Sequence, residues 1–377
     1  MNIEEPLQLL GGLTPKAFMK RHWHKKPMVI RQAMPGFTPP VDRTALFDLA
    51  TQEEVQSRLV VQASADGAQG WQFRHGPFAR KALPPLKQAG WTLLVQGVDL
   101  LDDGVHALMN QFRFVPDARL DDVMVSYATD GGGVGPHFDS YDVFLLQAYG
   151  QRRWRIGRQK DLSLQPEMPL KILAHFEPEM EFVLDPGDML YLPPRYAHEG
   201  IAVGECMTYS IGFRSPSRGE LAGELLQRLA EDAQDTVGSA LYRDPKQAAR
   251  EACGEIPDAL VEFASNALAD ALRDPMAIRR VLGEYFTEPK MHVSFEANQP
   301  GALEGALTLD RRTRMMYDLH HVFVNGDSFL TSGRDAQLMR RLADQRHLGA
   351  AEVKRLSRPA RVLVEDWCAA GWMYVGT

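Results

Sequence analysis

A chain of 377 residues, 45% hydrophobic and 24% charged, has the make-up of a globular protein with more than one core. Its formal net charge of −7 excludes a chain built as a general polyanion binder. Its three cysteines, Cys206, Cys253 and Cys368, form no C-x-x-C pair, which excludes a disulfide framework and a thiolate zinc site. A reducing, cytoplasmic setting is therefore expected. The first residues carry neither a basic n-region nor an apolar h-region, and no apolar run approaches a membrane span.

In chain order, Thr14-Pro15 opens a short helix through Lys20, and 26–31 reads as a strand. Asp42 caps a second helical stretch, expected to run on to the 53–60 region. A strand over 91–97 and a helix over 103–112 follow, the helix with Val105, Leu108, Met109 and Phe112 on one side. From Asp121 to Arg214 the pattern changes to short strands between turns: 123–128, 137–139, 143–148, 153–157, 181–184, 189–192, 198–203 and 207–214. Many short strands separated by Gly/Pro turns predict a barrel or sandwich, and a jelly roll suits the count. Residues 217–286 are helical in composition, with a second apolar stripe through Ile256, Leu260, Phe263, Leu268 and Leu272. A plain helical cap and pairing with a second copy are both open for this stripe. Beyond Val293 the pattern is mixed: a strand over 315–324, a tight Asn325-Gly326 turn, a returning strand over 328–331, and helices over 335–348 and 359–370. This end reads as a winged-helix-like module. Its arginines are offset by Asp310, Asp318, Asp335 and Asp344, so a structural or substrate-orienting role is favoured over nucleic-acid binding.

The chemistry concentrates in His137-Phe138-Asp139 and in His198 downstream. A strand sends residues i and i+2 to one face, so His137 and Asp139 are expected to point the same way. A second strand, following the Asp185-Pro186-Gly187-Asp188 turn, would supply His198. Two imidazoles and one carboxylate form a facial triad suited to Fe(II), Mn(II) or Co(II), with one side of the ion left open. In a chain with 11 histidines a His-x-Asp pair alone is weak. The glycine-rich loop before it and the Pro-Gly-Asp run after it make the assignment specific. The glycines from Gly131 lead into a strand, not a helix, which excludes a dinucleotide loop.

Oxygen activation at such a centre needs two electrons, and a 2-oxo acid can supply them by decarboxylation. Its far carboxylate would need a buried cation. Arg152 and Trp154 share one strand face; Arg153 and Arg155 share the other. Ser126 and Tyr149 are candidate hydroxyl partners.

Residues 127–154, with Gly131-Gly132-Gly133-Val134-Gly135-Pro136-His137-Phe138-Asp139 and Gly150-Gln151-Arg152-Arg153-Trp154, together with the run from Pro186 to Gly200, resemble the JmjC ribosomal oxygenases of the cupin superfamily. The resemblance runs over nearly the full length. It implies an α+β protein: a JmjC catalytic domain over 1–215 with a double-stranded β-helix core at about 92–215, a helical dimerisation domain over 216–290, and a winged-helix domain over 291–377. It further implies Fe(II) on His137, Asp139 and His198, and 2-oxoglutarate on Arg152 with Ser126 nearby, with O2 as co-reactant. The resemblance is closest to bacterial members, which hydroxylate an arginine at C3 in a large-subunit ribosomal protein. A homodimer acting on a basic protein, away from any membrane, is the expectation. Asp130 is the candidate for the substrate guanidinium, with Asp142 second. The competing expectations are a non-oxygenase cupin, a member acting on histidine or methyl-lysine, and a barrel that only binds.

Overall fold

The computed structural model describes residues 2–62, 70–168, 170–231, 233–273, 275–297 and 303–376, which divide into two compact units, Met1–Ser215 and Pro216–Thr377. The first unit begins with helices α1 (Pro15–Arg21), α2 (Arg43–Leu49) and α3 (Asp103–Asn110). The side chains of Thr14, Asp42 and Asp102 each accept a hydrogen bond from an N–H that the first turn leaves unpaired. Helix α2 stops at Leu49 and does not reach the 53–60 region. Residues there pair into a strand on both sides, and long-range pairing overrides the local pattern.

Nine strands follow: β1 (Met28–Ile30), β2 (Ser57–Val61), β3 (Gln72–His75), β4 (Trp91–Val95), β5 (Leu120–Ala128), β6 (Val143–Gly157), β7 (Met180–Leu184), β8 (Met189–Leu192) and β9 (Ala197–Phe213). They form one antiparallel system in the order β1-β8-β6-β9-β5-β4-β2-β3, with β7 also on β6, and fold into the jelly roll. Strands β6 and β9 run against each other from Val143–Gly212 to Gly157–Ala197. Each replaces two expected short strands. The polar stretches around Gly150 and Gly204 look like turns in sequence, but opposite each other they continue the ladder through register shifts near Tyr149. Strands β2 and β3 were not anticipated.

Two layers of apolar side chains hold this unit. One face of the sheet packs Trp91, Tyr127, Phe144, Tyr191 and Tyr209 against Phe18 of α1 and Leu46 of α2, all fully buried. Each such side chain contributes about 1.5–3 kcal/mol by leaving water. The inner face carries a smaller cluster of Val143, Leu145, Trp154, Ile156, Leu184, Leu190 and Leu192. Ser126, Gln147 and Thr208 interrupt it with a buried polar strip: Ser126 Oγ donates to Thr208 O at 3.3 Å, and Thr208 Oγ1 donates to Gln147 Oε1 at 3.1 Å.

The second unit opens with α4 (Arg218–Glu231), α5 (Ala233–Val237), α6 (Asp258–Ala271) and α7 (Pro275–Thr287). It continues with β10 (Ala306–Leu309), β11 (Met315–Tyr317), β12 (His321–Val324), β13 (Asp327–Leu330), α8 (Gly333–Gln345), β14 (His347–Leu348), α9 (Ala350–Val353), α10 (Arg358–Ala369) and β15 (Met373–Gly376). The expected single strand over 315–324 is two strands. Asp318 Oδ1 accepts from the N–H groups of His320 and His321 at 2.8 and 2.6 Å and turns the chain between them. Asn325 and Gly326 have φ of 50° and 96° and close a two-residue hairpin. Leu307, Val324, Leu342, Val364 and Trp367 centre the core of this end. Helix α6 differs: it buries no side chain. Among the described residues, no helix is long and apolar enough to cross a membrane.

Candidate metal centre

The triad residues come together, but His137 reaches its place differently from expectation. Residues 137–139 are no strand; His137 makes one isolated bridge to His198. Their backbones exchange both hydrogen bonds, His137 N–H to His198 O at 3.0 Å and His198 N–H to His137 O at 2.8 Å. The glycine-rich loop delivers this bridge by lying along the edge of β9. Gly131 N–H donates to Ala202 O at 3.0 Å, and Ala202 N–H donates to Gly132 O at 2.9 Å. Gly131 has φ of +72°, and a Cβ on Gly133 would collide with Gly200 O, so this approach needs glycine. The loop is thus a backbone device that docks one metal ligand beside another.

One ligand atom from each of His137, Asp139 and His198 lies within 4.8 Å of the other two, a spacing that can hold one metal ion. His198 Nε2 stands 3.6 Å from Asp139 Oδ2, and the two imidazole centroids are 4.2 Å apart. His137 Nδ1 meets Gly135 O at 2.9 Å and His198 Nδ1 meets Tyr196 O at 3.0 Å. With Nδ1 donating to these carbonyls, each Nε2 keeps its lone pair for an ion. Burial, reinforced by the neighbouring His137, pulls the His198 pKa down to about 4 against the opposing pull of Asp139, so His198 is neutral at pH 7. The Asp139 carbonyl is itself held by Arg195 N–H at 2.7 Å.

Arg152 shares the inner face with His198. It pairs with Ala202, as Ile156 pairs with His198, so its backbone starts about 13 Å from His198 along the ladder. Its side chain leads back over Gly200, lies 5.8 Å from the Trp154 ring, and is buried, with Nε and Nη2 lacking any hydrogen-bond partner. A buried guanidinium with unmet donors fits an anionic ligand group. Arg153 and Arg155 point the other way, toward Glu181 and Glu199.

The remaining candidates divide. Ser126 sits in the polar strip of the inner face. Tyr149 does not join it: the register shift pairs it with Met207 on the opposite face, and it is 51% exposed. Asp130 is placed at the far end of the loop, where Oδ1 accepts from Gly204 N–H at 2.8 Å. Gly204 lies six residues from His198 along β9, about 20 Å in extended chain. Asp142 is fully enclosed and accepts from Tyr191 Oη at 2.6 Å, with His24 Nε2 at 2.9 Å. Tyr141 and Asp122 were not singled out from the sequence. Burial, then the charges of Asp139 and Asp122, raise the Tyr141 pKa. The alternation of Asp122, Met124 and Ser126 along β5 was the available signal.

The Pro186-Gly187-Asp188 part of the second motif is structural. Burial pulls the Asp188 pKa up, but hydrogen bonds from Gln32 N–H, Arg31 and Asp185 N–H outweigh it and hold the carboxyl below its usual range. The turn fastens the N-terminal segment to the sheet beside β8, with β6 between it and the strand of His198.

Residues 107–221 match the JmjC domain family, and residues 268–374 match the ROXA-like winged helix. The chain is 35% identical over 288 residues to the ribosomal protein uL16 3-hydroxylase of Escherichia coli, covering 75% of this chain and 74% of that protein. The chain belongs to the JmjC ribosomal oxygenase family. The X-ray structure of E. coli ycfD superposes with a TM-score of 0.83 at 29% identity, over 97% of this chain and 98% of that one. The E. coli ribosomal oxygenase YcfD solved with cobalt and 2-oxoglutarate gives 0.79 at 28% identity, over 97% and 99%. This family uses Fe(II), 2-oxoglutarate and O2, and the donors described above fit that set. The protein is accordingly an enzyme, a 2-oxoglutarate-dependent oxygenase.

Proposed function

We propose that this oxygenase hydroxylates an arginine side chain at C3 in a protein of the large ribosomal subunit, working as a cytoplasmic homodimer. The observation that carries the reading is the inner-face pairing of the His137/Asp139/His198 set with buried, unpartnered Arg152. His137, Asp139 and His198 would hold Fe(II), and Arg152 would take the distal carboxylate of 2-oxoglutarate in a two-pronged hydrogen bond. When bound, iron and cosubstrate supply the oxidising chemistry that places one oxygen atom on carbon, with succinate and CO2 as co-products. The protein's part is geometric: the paired backbones of His137 and His198 fix the imidazoles, and the inner apolar cluster keeps water from the site.

For the substrate guanidinium the candidate is Asp130, an exposed carboxylate whose Oδ1 accepts from Gly204 N–H, with the buried Asp122 of β5 second. Gln96 Nε2 donates to Asp122 Oδ2 at 2.7 Å and orients it. For the dimer, the support is α6, where Leu260, Val261, Phe263, Leu268 and neighbouring Ile256 and Leu272 are exposed. The test is intact-mass analysis of ribosomal proteins incubated with the enzyme, Fe(II) and 2-oxoglutarate. A gain of one oxygen on an arginine of one large-subunit protein is expected. A gain on histidine, or loss of methyl groups from lysine, would overturn the arginine assignment.

A further inference from the structure

Gly200 stands in the interior of β9, two residues beyond His198, in a position whose φ lies outside the left-handed region. Backbone conformation therefore does not require glycine there, and a strand interior disfavours it. Space requires it instead. A Cβ on Gly200 would stand 2.8 Å from two outer ring carbons of Trp154 and 3.1 Å from Arg152 Cδ. Trp154 is buried among Ile156, Leu184 and Leu190 and cannot swing away cheaply. On the other edge the Gly200 carbonyl abuts Gly133, so the strand cannot retreat either.

We propose that Gly200 is a positioning residue for the cosubstrate. Its missing side chain leaves a shallow saddle on β9 across which the Arg152 stem passes, with the Trp154 ring as the saddle's other wall. The saddle sets how far the guanidinium reaches toward the metal ligands, and hence which chain length of 2-oxo diacid spans the gap. This rests on the 2-oxoglutarate reading above and adds a determinant to it.

The test is calorimetric binding of 2-oxoglutarate and of 2-oxobutyrate, which lacks the distal carboxylate, to protein loaded with Mn(II). Gly200→Ala should weaken 2-oxoglutarate by about tenfold or more, the loss of one charged hydrogen bond, and leave 2-oxobutyrate and Mn(II) affinity within about twofold. Adding Trp154→Phe, which removes the outer ring carbons, should restore part of the loss. Equal weakening of both acids, or none, overturns the proposal. If Gly200→Ala does not fold, the double variant is compared with Trp154→Phe alone. A weaker 2-oxoglutarate affinity with 2-oxobutyrate unchanged then supports the saddle; the same ratio of the two affinities in both overturns it. Failure of the unmodified protein to bind 2-oxoglutarate at all would instead sink the underlying functional reading.

Discussion

Strand β6 and helix α6 place their chemistry on opposite sides. Along β6 Arg152 faces inward and is buried, while its neighbours Arg153 and Arg155 face acidic partners outside. Along α6 nothing is buried, and Leu260, Phe263 and Leu268 lie in the open. The first element is complete within one chain. The second has an apolar stripe that its own unit leaves uncovered. The two elements thus differ in where their costly groups sit: unmet donors inside, unmet apolar area outside.

Experiments can press on each side of that contrast. The largest effect belongs to the ligands. His137→Ala or Asp139→Ala should abolish conversion of 2-oxoglutarate to succinate while far-UV circular dichroism stays unchanged; activity surviving in metal-depleted buffer would refute the ligand set. Next is Arg152→Ala, expected to raise the 2-oxoglutarate concentration needed for half-maximal turnover by about 100-fold, in line with losing two charge-assisted hydrogen bonds. An unchanged requirement would move the anchor elsewhere. On the α6 side, Phe263→Glu with Leu268→Glu should convert a dimer to a monomer in sedimentation at micromolar concentration, with the melting temperature of the first unit little changed. A wild-type monomer would end the dimer proposal.

A smaller effect is expected at the turn that anchors the N-terminal segment. Asp188→Asn should destabilise by about 2 kcal/mol near pH 7, read as a lower denaturant midpoint. Because the folded carboxyl is held below its ordinary value of 3.8, its stabilisation is complete above that value. It is lost as pH falls through the lower folded value, so the gap between variant and parent should close in acid. The smallest effect is Arg153→Ala, within about 0.5 kcal/mol and without change in cosubstrate affinity, since the Glu181 contact is 3.7 Å and half exposed. A large loss there would erase the inside–outside distinction along β6.

The parts of this molecule legible in sequence are those that local rules determine. Thr14, Asp42 and the Asn325-Gly326 turn announce themselves because capping and tight turns depend on one or two residues. Alternation separated Arg152 from Arg153 and Arg155 for the same reason. What stayed hidden depends on residues far apart. The joining of strands across Tyr149 needs β9 opposite it, and that shift is what turned Tyr149 to the wrong face. That the loop lies along β9 and sets Asp130 against Gly204 also depends on the partner strand and could not be read locally. Asp122, in an earlier strand, offers no local signal beyond the alternation of β5, since its partner Gln96 belongs to another segment.

The mutual backbone bond between His137 and His198 has a consequence for metal choice. It is made by main-chain atoms alone, so the strand and the loop, through their own pairing, set where the two imidazoles start. Two imidazoles and a carboxylate are donors that several divalent ions accept, and nickel, copper and zinc all bind nitrogen more avidly than ferrous iron. Selection of iron by such a donor set therefore depends on the geometry it imposes and on the ions on offer, not on raw affinity.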